Sequence, residues 1–189
     1  MNDFKNKQSG LLFGSYCADA LSLGVHWIYD TNELAQKHGR ISHYKAPGPD
    51  SYHPHKQAGD QGHVGDQSLC LLKFLISEKK WDASAFMNDW LAIWPDYNDY
   101  LDGATKTTLT SVQNLTDKTQ AGSNSVEIAG PARIAPLISF LADSSESEVV
   151  EAAVEQTMLT HRSKEAEESA IFLAQAGYRL MHGADLPGT

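Results

Sequence analysis

Apolar residues recur along this chain at spacings of three and four rather than two, which predicts helices almost throughout. Leu11, Leu12, Ser15, Tyr16, Asp19 and Leu23 trace one long first helix, and its small residues Gly14, Ser15, Ala18 and Ala20 permit close packing. Asp30-Thr31 caps a short helix through Lys37, which Gly39 closes. The run Leu69-Cys70-Leu71-Leu72-Lys73-Phe74-Leu75-Ile76 predicts a buried helix over 66–79. Asp82 caps the next, through Trp94, and Pro95 stops it. Asp102 or Thr105 opens a helix to about Leu115, and residues 132–142 form another with Pro136 in its first turn. Ser145 or Ser147 opens the run that ends at Leu159, and Ser163 caps a last helix through Met181. No sustained period-two run and no repeat occurs. The expectation is one all-α domain over 1–189, an antiparallel helical bundle.

Two segments break the pattern. Residues 40–65 hold Pro47, Pro49, Pro54 and four of the eight histidines, and a loop of that length in a compact domain is usually functional or disordered. The second is A-G-S-N-S, 121–125. At the end of the first lies a polar island, Gly59 to Ser68, G-D-Q-G-H-V-G-D-Q-S, directly before the apolar run. Asp60, Asp66, His63, Gln61 and Gln67 therefore gather where free helix N–H groups face outward. A plain helix start needs one capping side chain, for which Asp66 or Ser68 suffices. The rest exceed what capping requires, and this island is the first candidate site.

Composition narrows the function classes. The chain has 189 residues, a net charge of −9, and no basic cluster longer than Lys79-Lys80. A surface of that sign repels phosphate backbones, so nucleic-acid binding is not expected. Polar interruptions at Ser15, Asp19 and Ser22 argue against a signal peptide and a membrane span, and with no C-x-x-C the expected location is cytoplasmic.

Four segments, in order, resemble the ADP-ribosylglycohydrolase family. They are G-S-Y-C-A-D-A-L-S-L-G-V-H-W (14–27), G-D-Q-S-L-C-L-L (65–72), G-P-A-R-I-A-P-L (130–137) and L-T-H-R (159–162). The first is similar to the family's opening helix, G-x-x-x-G-D-A-L-G-x-P-x-E. The second stands at the place of its T-D-D-T metal-binding helix start, the third at its ligand loop, and the fourth at its T-H segment. The resemblance implies an orthogonal or antiparallel all-α bundle with two magnesium ions below an ADP-ribose cleft. The implied reaction is hydrolysis of an N- or O-glycosidic bond of ADP-ribose.

The chain departs from that pattern at three places. Gly65-Asp66-Gln67-Ser68 lacks one carboxylate and the threonine, His26 stands where the family has an acid, and the closing D-x-D-T is missing. The sequence therefore reads as the N-terminal part of a longer family fold, or a shortened relative, in which Mg²⁺ binds weakly if at all. An apolar face left bare by the missing segment would make self-association the expected outcome.

On this reading Asp66 holds a cation, with Gln67 as a weak neutral partner, and His26 substitutes for the missing acid. Gly122, Ser123, Asn124, Ser125, Gly130 and His161 orient the ribose. Each has a plainer alternative: Asp66 as a helix cap, His26 as a helix-end histidine, His161 as a cap, loop 122–125 as a turn. Asp19 reads as a buried hydrogen bond, and Arg133 as a phosphate contact or an ion pair. His53, His55 and His63 with Asp60 offer zinc or nickel chemistry as a further alternative. Two functions stand: a glycosidic-bond hydrolase acting on a small-molecule or ADP-ribosylated substrate, and a non-catalytic family relative that binds a ligand or serves a structural role.

Overall fold

The computed structural model of the chain describes residues 3–185. Every regular element among them is helical: α1 (Asp3–Ser22), α2 (Thr31–Lys37), α3 (His63–Glu78), α4 (Ala83–Ala92), α5 (Gly103–Ser111), α6 (Ala135–Phe140), α7 (Glu146–Met158) and α8 (Lys164–Met181). The caps explain most boundaries. Asp30 accepts the N–H groups of Asn32 and Glu33, Asp82 that of Ala85, and Asp102 that of Thr105. Ser145 and Glu148 form a reciprocal capping box, and Ser163 accepts from Ala166. The helix expected over 132–142 is shorter than its pattern, because a 3₁₀ turn over Pro131–Arg133 precedes α6. Among the described residues no helix is long and apolar enough to cross a membrane.

Two apolar clusters hold the helices together. Leu71, Phe74 and Leu75 of α3 pack on Phe86, Met87 and Trp90 of α4, with Leu137 and Leu159 closing the far side. Ile134, Ile138, Val149, Ala153, Ala174 and Met181 join α6, α7 and α8, and Phe4 and Leu11 of α1 lie against them. Each large side chain buried this way stabilises the fold by about 1.5–3 kcal/mol. The small residues Ala170, Ala174 and Gly177 of α8 are buried, which lets that helix pack closely against its neighbours. Phe172, Leu173 and Ile128 form a shallow apolar groove on the outside.

The start of α3 differs from its sequence reading. The helix begins at His63, three residues before Asp66, and its N-cap Gly62 has no side chain to offer. The missing acceptor arrives from α1, where Asp19 Oδ2 takes the Gly62 N–H at 2.6 Å. Asp66 thus lies within the first turn and Ser68 deeper still, where its hydroxyl donates to the Arg133 carbonyl at 3.3 Å. A side chain at Gly65 would overlap both the Asp19 carboxylate and Gln61, so this close approach of α1 to α3 requires glycine there. Tyr16, one turn before Asp19, donates its hydroxyl to the Ser68 carbonyl at 3.1 Å and locks the same contact.

Candidate functional site

Four pieces of chain converge beside the start of α3: the end of α1, residues 52–57, residues 97–102 and α3 itself. Trp27 has φ 65°, a left-handed conformation uncommon outside glycine. The turn lays its indole on the His26 ring, 4.1 Å between centroids and 20° apart. His26 Nδ1 lies 2.9 Å from His53 Nε2, and His53 Nδ1 lies 3.2 Å from Asp99 Oδ2. Lys56 Nζ stands 3.8 Å from that same Asp99 oxygen and 2.5 Å from Asp66 Oδ2, to which Tyr97 also donates its hydroxyl at 2.8 Å. On the other side, His63 Nε2 faces Asp102 Oδ2 at 3.3 Å. One polar chain thus runs from His26 through His53, Asp99 and Lys56 to Asp66. A cleft of about 450 Å³ opens beside it, lined by His26, Trp27, Tyr29, His63 and the segment Val126–Ala129.

Burial sets the protonation of this cluster. Loss of water, and the neighbouring His53 and His63, lower the His26 pKa to about 4, so its ring is neutral at pH 7. His53 is also lowered by burial, against the opposing pull of Asp99. Burial alone would raise the Asp102 carboxyl, but His63 and the Thr105 N–H hold it well below the usual carboxylate range. Burial and the adjoining Asp66 raise the Tyr97 phenol, which stays a hydrogen-bond donor.

The structure brings together only part of the residue set read from sequence. His26 and Asp66 belong to one network, though Asp66 Oδ2 is already taken by Lys56 and Tyr97. Gln67 is not open to a metal ion. Its side chain is buried in the core, and its amide oxygen accepts from Trp90 Nε1 at 2.8 Å and from the Arg133 guanidinium. His161 is 0% exposed and has no surface to present to a ribose; its Nδ1 pairs with Thr160 Oγ1 at 2.9 Å.

Ser123 is equally structural. It bridges to the 160–162 strap through its N–H to the Thr160 carbonyl (2.9 Å) and the Arg162 N–H to its own carbonyl (2.7 Å). Gly122 packs on Met158 and Arg162, and a Cβ at Gly130 would stand 2.7 Å from His161 Nδ1, so both glycines serve close packing. Of loop 122–125, Asn124 is exposed and Gly122 and Ser125 are half-buried. Among the described residues Arg133 pairs with no carboxylate: its guanidinium donates to Gln67 and Thr160. His55 and Asp60 are exposed and outside the cluster.

Sequence reasoning missed Lys56, Tyr97, Asp99 and the site role of Asp102. The segment Y-N-D-Y-L-D, 97–102, concentrates acids and aromatics between two helices, and that was the available signal.

His161 has a consequence that pH can test. Burial, the Arg133 cation and His63 lower its pKa to about 4, with Asp102 opposing. An unfolded histidine titrates near pH ~6.5. The unfolded chain therefore binds more protons between those values, and stability should fall as pH drops from about 6.5 to about 4. His26 acts in the same window. His161→Gln should flatten this limb in urea melts at pH 7, 5.5 and 4.5; an unchanged slope would mean that His161 is not buried neutral.

The magnesium pair implied by resemblance does not suit these residues. Mg²⁺ needs near-octahedral hard oxygen ligands. Here Asp66 is neutralised by Lys56, Gln67 is spent in the core, and His26 presents nitrogen. Among the described residues the group whose ligand atoms converge is nitrogenous: His26, His53 and His63, all within 4.8 Å of one another.

The sequence matches the family described as ADP-ribosylglycohydrolase over residues 1–188. A solved structure described as an ADP-ribosylglycohydrolase-related protein complex superposes with a TM-score of 0.76 at 21% identity, over 98% of this chain and 59% of that one. At that identity the likeness establishes the fold, and this chain spans little more than half of the solved structure's length. No curated protein matches the sequence.

Proposed function

The chain belongs to the ADP-ribosylglycohydrolase family, and from that premise we propose that it hydrolyses an N- or O-glycosidic bond of ADP-ribose or a related conjugate. The observation that carries this reading is the neutral His26 at the cleft, stacked on Trp27, where the family resemblance places an acidic residue. A neutral imidazole can take a proton from an attacking water, and aromatic walls at Trp27 and Tyr29 suit a flat base or sugar face. No step of this reading passes through magnesium. Asp66, held by Lys56 and Tyr97, acts by fixing the charge beside His53 rather than by ligating an ion. The two free thiols, Cys17 and Cys70, support a cytoplasmic setting; recovery of either in a disulfide from cells would argue against it.

The test is release of ADP-ribose from arginine- and serine-linked conjugates, followed by chromatography. His26→Ala should cost at least about 100-fold in kcat. With a His26 pKa of about 4, the wild-type rate should be flat above pH ~6 and fall toward pH ~4. A rate that is measurable but unchanged in the variant removes His26 from the chemistry.

A second reading, a non-catalytic relative that binds a ligand, is favoured by the engagement of Asp66 with Lys56 and of Gln67 with the core. Calorimetric binding of ADP-ribose without turnover would select it, and absence of both binding and turnover would end both readings.

A further inference from the structure

The three histidine rings lie nearly parallel, their centroids at the corners of a triangle. Their planes differ by 10°, 16° and 17°, and their centroids are 5.1, 5.9 and 6.0 Å apart. A point equidistant from the three centroids lies about 3.3 Å from each. A Zn–N bond of about 2.0–2.1 Å, plus the roughly 1.1 Å from a ring nitrogen to its ring centre, gives about 3.2 Å. The size of the triangle is therefore that of three imidazoles around one ion.

The inward nitrogens can be identified from what the outward ones do. His53 Nδ1 is turned to Asp99 and His63 Nε2 to Asp102, which leaves His53 Nε2 and His63 Nδ1 for the centre, with His26 Nδ1 beside them. His63 Nδ1 is buried and has no hydrogen-bond partner. Carboxylates behind metal-bound histidines fix their tautomer and raise their basicity, and two of these three rings already have one. Trp27 covers the group, with its plane 20° from His26 and 14° from His53.

We propose that His26, His53 and His63 form a site for one nitrogen-preferring divalent ion, zinc above all, with Asp99 and Asp102 as its outer carboxylates. The site is distinct in ligand chemistry from a magnesium pair, and because it engages His26 Nδ1 it competes with the proton-accepting role proposed for His26 rather than resting on it. Closure requires two adjustments. The His26–His53 contact at 2.9 Å must open toward the roughly 3.4 Å between tetrahedral zinc ligands, and both nitrogens of that contact must be free of a proton. His26 and His63 also line the cleft, so an ion there is within reach of a cleft ligand.

The experiment uses the chelator-stripped chain and Zn²⁺ alone, titrated by calorimetry, with Mg²⁺ as the comparison. One zinc per chain with sub-micromolar affinity, and no comparable magnesium binding, is the expected result. Co²⁺ should give the visible spectrum of a four-coordinate nitrogen site. His26→Ala should weaken zinc at least about 100-fold and Asp99→Asn about 10–100-fold, whereas the exposed His55→Ala should leave affinity unchanged. Zinc-induced shifts of the ring nitrogens of all three histidines in the wild-type chain, read by NMR, test the site without any variant. Failure of zinc to bind stoichiometrically, ring shifts elsewhere than at these residues, or equal loss in His55→Ala would overturn the proposal. ADP-ribose release by a chain that takes up no zinc would leave the hydrolytic reading intact while sinking only the ion site.

Discussion

Arg133→Ala should lower the free energy of unfolding by about 3–5 kcal/mol, among the largest losses expected of any single substitution in this chain. The guanidinium is 1% exposed and sits on the turn that packs against α3, α7 and α8. Burial lowers its pKa to about 10, which still leaves it charged at neutral pH. It ties the Gln67 amide of α3 to the Thr160 hydroxyl after α7. Truncation leaves a cavity and removes a donor from each of those acceptors. In urea the midpoint should fall with little change in slope, and Tm should drop by roughly 10 °C. Arg133→Met should recover much of the packing share, because Gln67 keeps Trp90 and Thr160 keeps His161 as partners. A loss below about 1 kcal/mol for alanine would place the guanidinium outside the core, free for an anionic ligand.

Asp102→Ala should cost about 3 kcal/mol or more, by two separable routes. The carboxylate caps α5 through the Thr105 N–H at 2.6 Å, and loss of a cap costs about 1–2 kcal/mol. It is also a buried negative charge close enough to stabilise the Arg133 cation, which its removal leaves without that compensation. Asp102→Asn keeps an oxygen for Thr105 and should recover the capping share alone. The pH dependence follows from the sign of its shift. Its folded pKa lies below the unfolded value of about 3.9, so its contribution is complete above pH ~4 and is lost only as pH falls through the lower folded value. The deficit of the alanine variant should therefore be the same at pH 7 and pH 5. A deficit that shrank between them would assign the stabilisation to a histidine instead.

The helices were legible because local rules and the tertiary fold agree on them. Asp30, Asp82, Ser145 and Ser163 cap where their sequence positions predict, and the apolar face of 69–76 is the buried face of α3. The polar island lies beside the histidine cluster, where more polar groups crowd the helix start than capping uses. The partners of those groups were not legible. Asp19 caps α3 from a helix more than forty residues away, which no local capping rule could indicate. Gln67 and His161 looked available for ligands because the resemblance sets them at the family's metal-binding helix start and T-H segment. Helical phase and the strap between Ser123 and residues 160–162 turn them inward instead.

By itself the sequence determined the helical content, the family and every cap made by a neighbouring side chain, since these depend on periodicity, on side chains within a few residues and on short ordered motifs. Only the tertiary structure decided which histidines meet. His26, at the end of α1, joins His53 from an irregular segment and His63 at the head of α3, while His55, two residues from His53, stays in solvent. Alternation along an extended segment sends neighbours at even spacing to one side only when the backbone is regular, and around Pro54 it is not. The close approach of α1 to α3, made through Asp19, Gly62 and Gly65, is what turns three scattered imidazoles into one cluster.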